Sequence, residues 1–210
     1  MKAIAFELNT PMSSWATGGA SIIPTMSEPT WSAVVGMIGA ALGLPRGDNR
    51  LVQIASDFAL AVKVEVAGQR EHDFNTIESP QDTKVKGLRA RTRFQELGFE
   101  SDALNTSIIQ REYVQGAVYV VYIVQMTETP VYSLADILIA LANPVYPLSA
   151  GRRSCVIGLV HAKGASTEDI ALATHWDQRI PIDKVPALIR ERHDQLVGPR
   201  QFAVRFECVA

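Results

Sequence analysis

The chain has 210 residues, of which 47% are hydrophobic and 20% are charged, which is enough to bury a proper core in one large domain, with or without an insertion. Its formal net charge of −2 argues against indiscriminate binding of nucleic acid. No apolar run approaches the ~20 residues that span a bilayer, and the N-terminus turns polar at Glu7, so we expect a cytoplasmic protein without a secretory leader.

The first predicted elements are a strand and a helix. Apolar side chains alternate over residues 2–8, which predicts a half-buried strand. The Ser, Thr, Gly and Pro-rich stretch 9–30 is long for a structureless loop, and its length predicts a functional role. Ser27 or Thr30 is then expected to cap a helix that ends at Leu42.

The middle of the chain combines two strands with an insertion. Alternation over 58–66 predicts a second strand, and the apolar, β-rich run 118–126 predicts a central one. Between them, the segment from about 68 to 115 is polar and basic in its middle. We interpret it as an arm inserted into the fold, projecting from the sheet and mobile until a partner orders it.

The remaining elements complete a recognisable order. We predict a helix over 134–142 that begins at Ser133, a short strand over 156–160, a helix over 185–196 and a closing strand over 202–209. From the first strand to the short one over 156–160, the predicted elements follow the order strand, helix, strand, strand, helix, strand. This order is the split βαβ arrangement of ferredoxin-like domains. The prediction is therefore a single α+β domain over residues 1–210.

Common catalytic and cofactor motifs are missing from the sequence. It contains no P-loop, dinucleotide fingerprint or nucleophile elbow. Cys155 and Cys208 form neither a disulfide framework nor a pair with metal-ligand spacing. We expect neither a metal nor a cofactor.

A metal-independent ribonuclease would need a base and an acid, and histidine is the natural candidate. The four histidines lie in four different predicted elements: His72, His161, His175 and His193. We interpret all four as surface or hydrogen-bonded residues. His72 is the best candidate for catalysis, since it borders the basic arm and has Asp73 beside it.

Positive charge is concentrated in the arm. Five cations lie between Asp82 and Glu96 with no acid among them: Lys84, Lys86, Arg89, Arg91 and Arg93. They could neutralise several phosphates, and nearby aromatic residues, namely Phe74, Phe94 and Phe99, could stack on bases. A solvated charge run is an equally good interpretation of such a segment.

Two shorter motifs also fit an RNA interface. In Gly151-Arg152-Arg153-Ser154, the glycine permits close approach, the guanidiniums offer bidentate phosphate contacts and the serine adds a neutral donor. Arg111-Glu112-Tyr113 fits either an internal ion pair or an RNA contact, and the sequence leaves both interpretations open.

Several segments together resemble the CasD family, the RAMP subunit of type I-E CRISPR Cascade. They occur in the same order as in that family: Leu8-Asn9-Thr10-Pro11-Met12-Ser13-Ser14-Trp15, Gly39-Ala40-Ala41-Leu42-Gly43-Leu44, Arg46-x-Asp48, Arg111-Glu112-Tyr113, Tyr146-Pro147, Gly151-Arg152-Arg153-Ser154-Cys155 and Pro199-Arg200-Gln201-Phe202-Ala203. The combination is specific, although each match is short.

The resemblance implies an RRM-like, ferredoxin-like RAMP core with an antiparallel sheet and a thumb-like insertion at about 73–110. It implies binding of the repeat-derived 5′ handle of a CRISPR RNA, and contacts with the large subunit and the repeating backbone subunit. Target DNA would be reached only through the complex. By position, the residues that line or support the handle groove are Arg111, Arg152, Arg153 and Arg200. Tyr113 and Ser154, from the two motifs described above, are further candidate RNA contacts.

The sequence departs from the family pattern at a few positions. Thr10 and Ala16 stand where the family usually has glycine, and Trp31 replaces a basic residue. Trp31 could stack on a base or anchor the first helix. The leading hypothesis is a non-catalytic RNA-binding subunit. The alternative is a metal-independent endoribonuclease that cleaves CRISPR repeat RNA with His72 and either Lys84 or Tyr113.

Overall fold

A computed structural model describes residues 1–16, 21–80, 92–98, 104–158, 160–198 and 201–210. Its strands are β1 (Ala3–Ser13), β2 (Trp15–Ala16), β3 (Ile22–Ile23), β4 (Thr25–Met26), β5 (Phe58–Val66), β6 (Gln69–Pro80), β7 (Leu104–Gln125), β8 (Ala162–Ala165), β9 (His175–Asp177), β10 (Leu188–Gly198) and β11 (Gln201–Val209). Its helices are α1 (Trp31–Ala41), α2 (Asn49–Asp57), α3 (Arg93–Leu97), α4 (Leu134–Ala142) and α5 (Thr167–Ile170).

Most of these strands form one sheet. Its strand order is β10-β11-β9-β5-β7-β1-β8, with β3 and β6 paired to β7 outside that path. Every ladder is antiparallel except the short one between β3 and β7. A mostly antiparallel sheet with few helices confirms the predicted α+β class. None of the described helices is long and apolar enough to cross a bilayer.

Strand β7 connects the core to the inserted segment. Its second half pairs with β1 on one side, from Ala3↔Val124 to Ser13↔Val114, and with β5 on the other. Its first half pairs with β6, from Gln69↔Gln115 to Pro80↔Leu104. The described part of the inserted segment is therefore mainly a long two-stranded ribbon that continues directly from a central strand.

The larger hydrophobic core lies between the sheet and helices α1, α2 and α4. Alternation along β7 directs Tyr119, Val121 and Ile123 into this core, where they are fully buried. The predicted helix from Thr30 is confirmed, but the Thr30 side chain does not cap it. Instead the backbone N–H of Trp31 donates to the carboxylate of Asp194, 2.7 Å away. Helix α4 begins at Ser133 with a capping box, as predicted from the sequence.

A smaller core lies on the opposite face of the sheet. Here the strands present alanines, which allow residues 167–180, from α5 to just past β9, to approach closely. The buried side chains from this covering segment are Ile170, Ala173, Trp176 and Ile180.

Three predictions of local structure are wrong, and a helix was missed. In place of the helix expected over 185–196, residues 188–198 form β10, because Arg190, Arg192 and Asp194 bond across the ladder to Glu207 and Arg205 of β11. The strand expected at 156–160 lies at β8, and Val156 forms only an isolated bridge with Ser149. The expected loop 9–30 begins as a continuation of β1. Helix α2 was missed, although Asp48 caps it.

The hairpin β10–β11 is tied to the rest of the fold by buried charges. Glu28 is 1% exposed and pairs with Arg190 and Arg192, and both arginines also pair with Glu207, which in turn pairs with Arg205. Burial alone would raise the pKa of Glu207, but the surrounding guanidiniums outweigh that effect and hold it below its ordinary value. The arginines therefore favour the ionised form of the buried Glu207 carboxylate.

We expect Glu28→Gln to lower the free energy of unfolding by about 3 kcal/mol, because it leaves buried arginines without a charged partner. Urea denaturation at neutral pH measures the effect. Glu65→Gln is the matched control: Glu65 forms an ion pair with Lys63 at the surface, and its loss should cost roughly 0.5 kcal/mol. Equal stabilities of the two variants would contradict the structural role of Glu28.

Candidate nucleic-acid interface

The turn Gly151–Ser154 is held tightly against the end of β1. Within it, the N–H of Cys155 donates to the carbonyl of Arg152 at 2.8 Å. Ser14 N–H donates to the carbonyl of Ala150 at 3.1 Å, which joins the turn to the chain after β1. Gly151 has φ +80°, and a Cβ there would lie 2.0 Å from the carbonyl oxygen of Ser14. A glycine is required at this position.

Arg152 is held in place by Tyr113 of β7. Its guanidinium donates to the Tyr113 hydroxyl and lies 6.0 Å from the centroid of the tyrosine ring. Tyr113 is itself buried, so it forms a firm support, while Arg152 keeps partial contact with solvent. The next two residues of the turn, Arg153 and Ser154, are exposed. The turn thus presents two guanidiniums and a hydroxyl at the surface.

Arg111 lies on the same face of β7 as Tyr113, because they are two residues apart on one strand. Its cross-strand neighbour is Asp73, whose carboxylate accepts from the amide of Asn75 at 2.6 Å. Arg111 forms no ion pair with another residue that the structure describes. We call Arg111, Arg152 and Arg153 the arginine cluster.

Glu112 faces the other side of β7 and forms the internal ion pair of the Arg111-Glu112-Tyr113 motif. Its partner is Arg70, at 2.9 Å, rather than the adjacent Arg111. The same carboxylate accepts from Thr25 N–H at 3.1 Å, and Arg70 donates to the Thr25 carbonyl at 2.9 Å. Arg70 is not among the residues predicted to act here. The pair consists of a cation on β6 and an acid on β7. It can be recognised only when the pairing register of these two antiparallel strands is known.

Buried aromatic residues fix the chain that leads away from β1. Trp15 is fully buried and packs edge-on against Tyr119, with ring centroids 6.0 Å apart. The Tyr119 hydroxyl donates to the carbonyl of Ser27 at 2.6 Å, and burial raises its pKa. The arginine cluster is therefore built on a region with little freedom to rearrange.

The geometry separates the residues considered for catalysis. His72 is 74% exposed and lies opposite Glu112 in the ladder, with 3.9 Å between His72 Nδ1 and Glu112 Oε1. Tyr113 lies opposite Glu71, one pair further along the ladder, so its side chain projects from the face of the ribbon opposite to that of His72. His72 and Tyr113 thus do not converge on one substrate atom. Across the described ranges, no group of His, Cys, Asp and Glu side chains could hold a metal ion.

The remaining predicted site residues have mixed outcomes. Arg93 and Phe94 begin α3, and Phe94 is 87% exposed. The structure contradicts base stacking by Trp31: its ring is fully buried and its Nε1 donates to the carbonyl of Ala55 at 3.2 Å, so it anchors the helix. Five predicted contacts lie outside the described residues, namely Lys84, Lys86, Arg89, Arg91 and Arg200.

The descriptions of the family model and of two solved structures to which this chain is similar all name CRISPR or Cas proteins. Residues 3–197 match the model of a family described as "CRISPR-associated protein (Cas_Cas5)". A solved structure described as "CRISPR RNA-guided surveillance complex" shares the fold with a TM-score of 0.68 and 24% identity, over 99% of this chain and 89% of that one. Another solved structure, described as "Crystal structure of Cas protein", shares the fold with a TM-score of 0.60 and 20% identity, over 98% of this chain and 92% of that one. No curated protein sequence matches the chain.

We expect Gly151→Ala to lower the free energy of unfolding by about 3 kcal/mol, because the new Cβ would combine a strained backbone with a collision against Ser14. Thermal unfolding followed by circular dichroism measures the effect. Gly164→Ala is the control, since a Cβ at Gly164 would meet nothing within 4 Å. A Gly151→Ala protein as stable as the control would show that the turn is not fixed against β1.

Proposed function

The chain belongs to the Cas5 family of CRISPR-associated proteins, and we propose that it is the non-catalytic subunit of a type I-E-like Cascade complex that binds the 5′ handle of the CRISPR RNA. The observation that carries this proposal is the arginine cluster, in which Arg152 rests on buried Tyr113 beside exposed Arg153. We also propose a cytoplasmic location for the complex.

The arginine cluster suits a single bound strand of RNA. Guanidiniums make bidentate contacts with phosphate, and Arg152 loses little conformational freedom on binding because Tyr113 already restrains it. The whole chain carries a net charge of −2, so positive charge is local, in this cluster and in the basic arm predicted from the sequence. Binding should therefore be localised there rather than spread over the protein.

The architecture supports a RAMP-type core. Four strands of the sheet lie in the order β8-β1-β7-β5, with α1 and α2 between β1 and β5, and α4 between β7 and β8. This is the spatial order expected of the ferredoxin-like arrangement proposed from the sequence. The resemblance to the CasD family covers residues 8 to 203, and one structural neighbour is described as an RNA-guided surveillance complex.

In this proposal, the ribbon of β6 and the first half of β7 is the thumb-like arm. It exposes Phe74 and Ile108 on one face, which gives the arm an apolar surface for a base or a neighbouring subunit. The protein partners would be the repeating backbone subunit and the large subunit. Target DNA would be recognised by pairing with the guide RNA and not by this chain.

Two observations support a binding role without catalysis. His72 and Tyr113 project from opposite faces of the ribbon, and the hydroxyl of Tyr113 is already bonded by Arg152. An acid–base pair must reach the attacking hydroxyl and the leaving oxygen together. The two residues do not meet that requirement.

We expect Arg152→Ala/Arg153→Ala to weaken binding of a synthetic 5′ handle RNA at least tenfold. The slope of log affinity against log salt should also fall by about 1.4, since two phosphate contacts on single-stranded RNA are lost. Fluorescence anisotropy at several salt concentrations measures both quantities.

The matched control for this test is Lys2→Ala/Lys163→Ala, which removes two exposed cations near the other end of β1. It should leave both the affinity and the salt slope unchanged. Equal losses in the two double variants would show that binding follows overall charge and would refute the role of the arginine cluster.

We expect labelled repeat RNA to remain intact when incubated with the purified protein and a chelator, because His72 and Tyr113, the candidate acid–base pair among the described residues, project from opposite faces of the ribbon. Denaturing gels follow the RNA. Cleavage at a defined position that disappears in His72→Ala, but persists in a variant of another exposed histidine, His193→Ala, would favour the endoribonuclease alternative instead.

A further inference from the structure

Strand β11 has an apolar face that nothing in the described structure covers. Phe202, Val204 and Phe206 alternate along the strand and are 49%, 40% and 47% exposed. The residues between them that point the other way include Arg205, which is 5% exposed within the ion-pair network. Strand β11 therefore buries its charged side chains here and exposes aromatic rings, the reverse of the usual pattern for a sheet.

The same face is covered by protein further along the strand. Cys208 follows Phe206 in the alternation and is only 4% exposed, in the smaller core that Trp176 and Ile180 complete. Strand β9 pairs with β11 only from Glu207 to Val209. The exposed rings thus continue an apolar surface whose other end is already packed.

The neighbouring strand β10 extends this surface. Ile189 pairs with Cys208 and is 49% exposed, and Glu191 pairs with Phe206, so both face the same side. We call Ile189, Phe202, Val204 and Phe206 the apolar stripe. Its exposed area is roughly 350 Å², which falls within the size range of the largest patches on monomeric proteins, where such patches are often functional.

The charge around the apolar stripe selects the kind of partner. Among the described residues that the pairing directs to this side, Glu191 is the charged one nearest the rings, and neither Lys nor Arg accompanies it. Among these described residues no cation would offset the repulsion between Glu191 and a phosphate backbone, which disfavours RNA as the partner. An apolar protein surface that brings a Lys or Arg to Glu191 would complement it.

The area of the stripe argues against a stable dimer formed through this surface alone. A standard interface buries about 800 Å² on each partner, more than twice the area that the stripe offers. The apolar stripe is large enough for one contact among several in a larger assembly, where neighbouring contacts supply the rest of the buried interface area.

We propose that the apolar stripe docks another protein subunit of the same complex, through an apolar surface that carries a basic residue opposite Glu191. The identity of the complex rests on the proposed function, but the docking surface is distinct from the arginine cluster. The two roles can therefore be lost separately.

The test is co-expression of the tagged chain with the CRISPR-associated proteins encoded beside it and a CRISPR array, followed by affinity purification. With Phe202→Ser/Phe206→Ser, we expect at least one protein subunit to be recovered at a tenfold lower ratio to the tagged chain. The isolated variant should bind 5′ handle RNA as the wild type does. Phe202→Leu/Phe206→Leu is the control, because it keeps an apolar surface and should keep the assembly.

Several results would overturn the proposal. Unchanged subunit ratios in the serine variant would show that the stripe is not an interface. Loss of RNA affinity in the isolated serine variant would assign the stripe to RNA, and a wild-type dimer dispersed by the same change would assign it to a second copy. Wild-type protein that binds the handle but recovers no other subunit would overturn this inference alone. Failure of the wild type to bind the handle would instead refute the proposed function.

A second measurement covers the case in which the serine variant does not fold. A photo-crosslinking amino acid replaces Val204, which is 40% exposed, in the co-expressed complex. The expected product is a covalent link to a different protein subunit, detected by mass spectrometry. Links to RNA, to a second copy of the chain or to no molecule would contradict the proposal.

Discussion

The position of the β10–β11 hairpin depends on charges that are buried with their partners. Glu28 precedes α1, while Arg192, Arg205 and Glu207 belong to the hairpin, and Asp194 both pairs with Arg205 and accepts the first N–H of α1. Removing one charge leaves the others desolvated without compensation, so the network acts as a unit. Apolar packing would tolerate several relative positions of helix and hairpin, whereas these directional contacts fit one.

The same principle of fixed support applies to the candidate RNA interface. Glu112 holds the chain at Thr25 through a backbone N–H and through Arg70, and Gly151 packs directly on Ser14. These contacts use the polar groups that face inward. In the proposed function, the arginine cluster on the other side of the ribbon would meet an external anion, and the contacts beneath it are already formed without a ligand.

Sequence reasoning succeeded where local patterns decide the structure and failed where distant residues do. Alternation located β1 and β5, a continuous apolar run located the second half of β7, and Ser133 marked the start of α4. The charged run that became β10 has no such pattern, because its arginines are satisfied by Glu28, more than 160 residues away. Base stacking by Trp31 was inferred from its position, where the CasD family has a basic residue, and no local signal reveals that its Nε1 donates to the carbonyl of Ala55.

The continuity of β7 has a mechanical consequence. One strand of 22 residues begins in the exposed ribbon and ends between β1 and β5 in the core, and its pairing with β1 runs through this region without a bulge. A two-stranded ribbon joined by a loop would swing freely, but this one is built into the sheet. A force on the exposed part of β7 is therefore transmitted along the strand. The hydrogen-bonded ladders with β1 and β5 resist it.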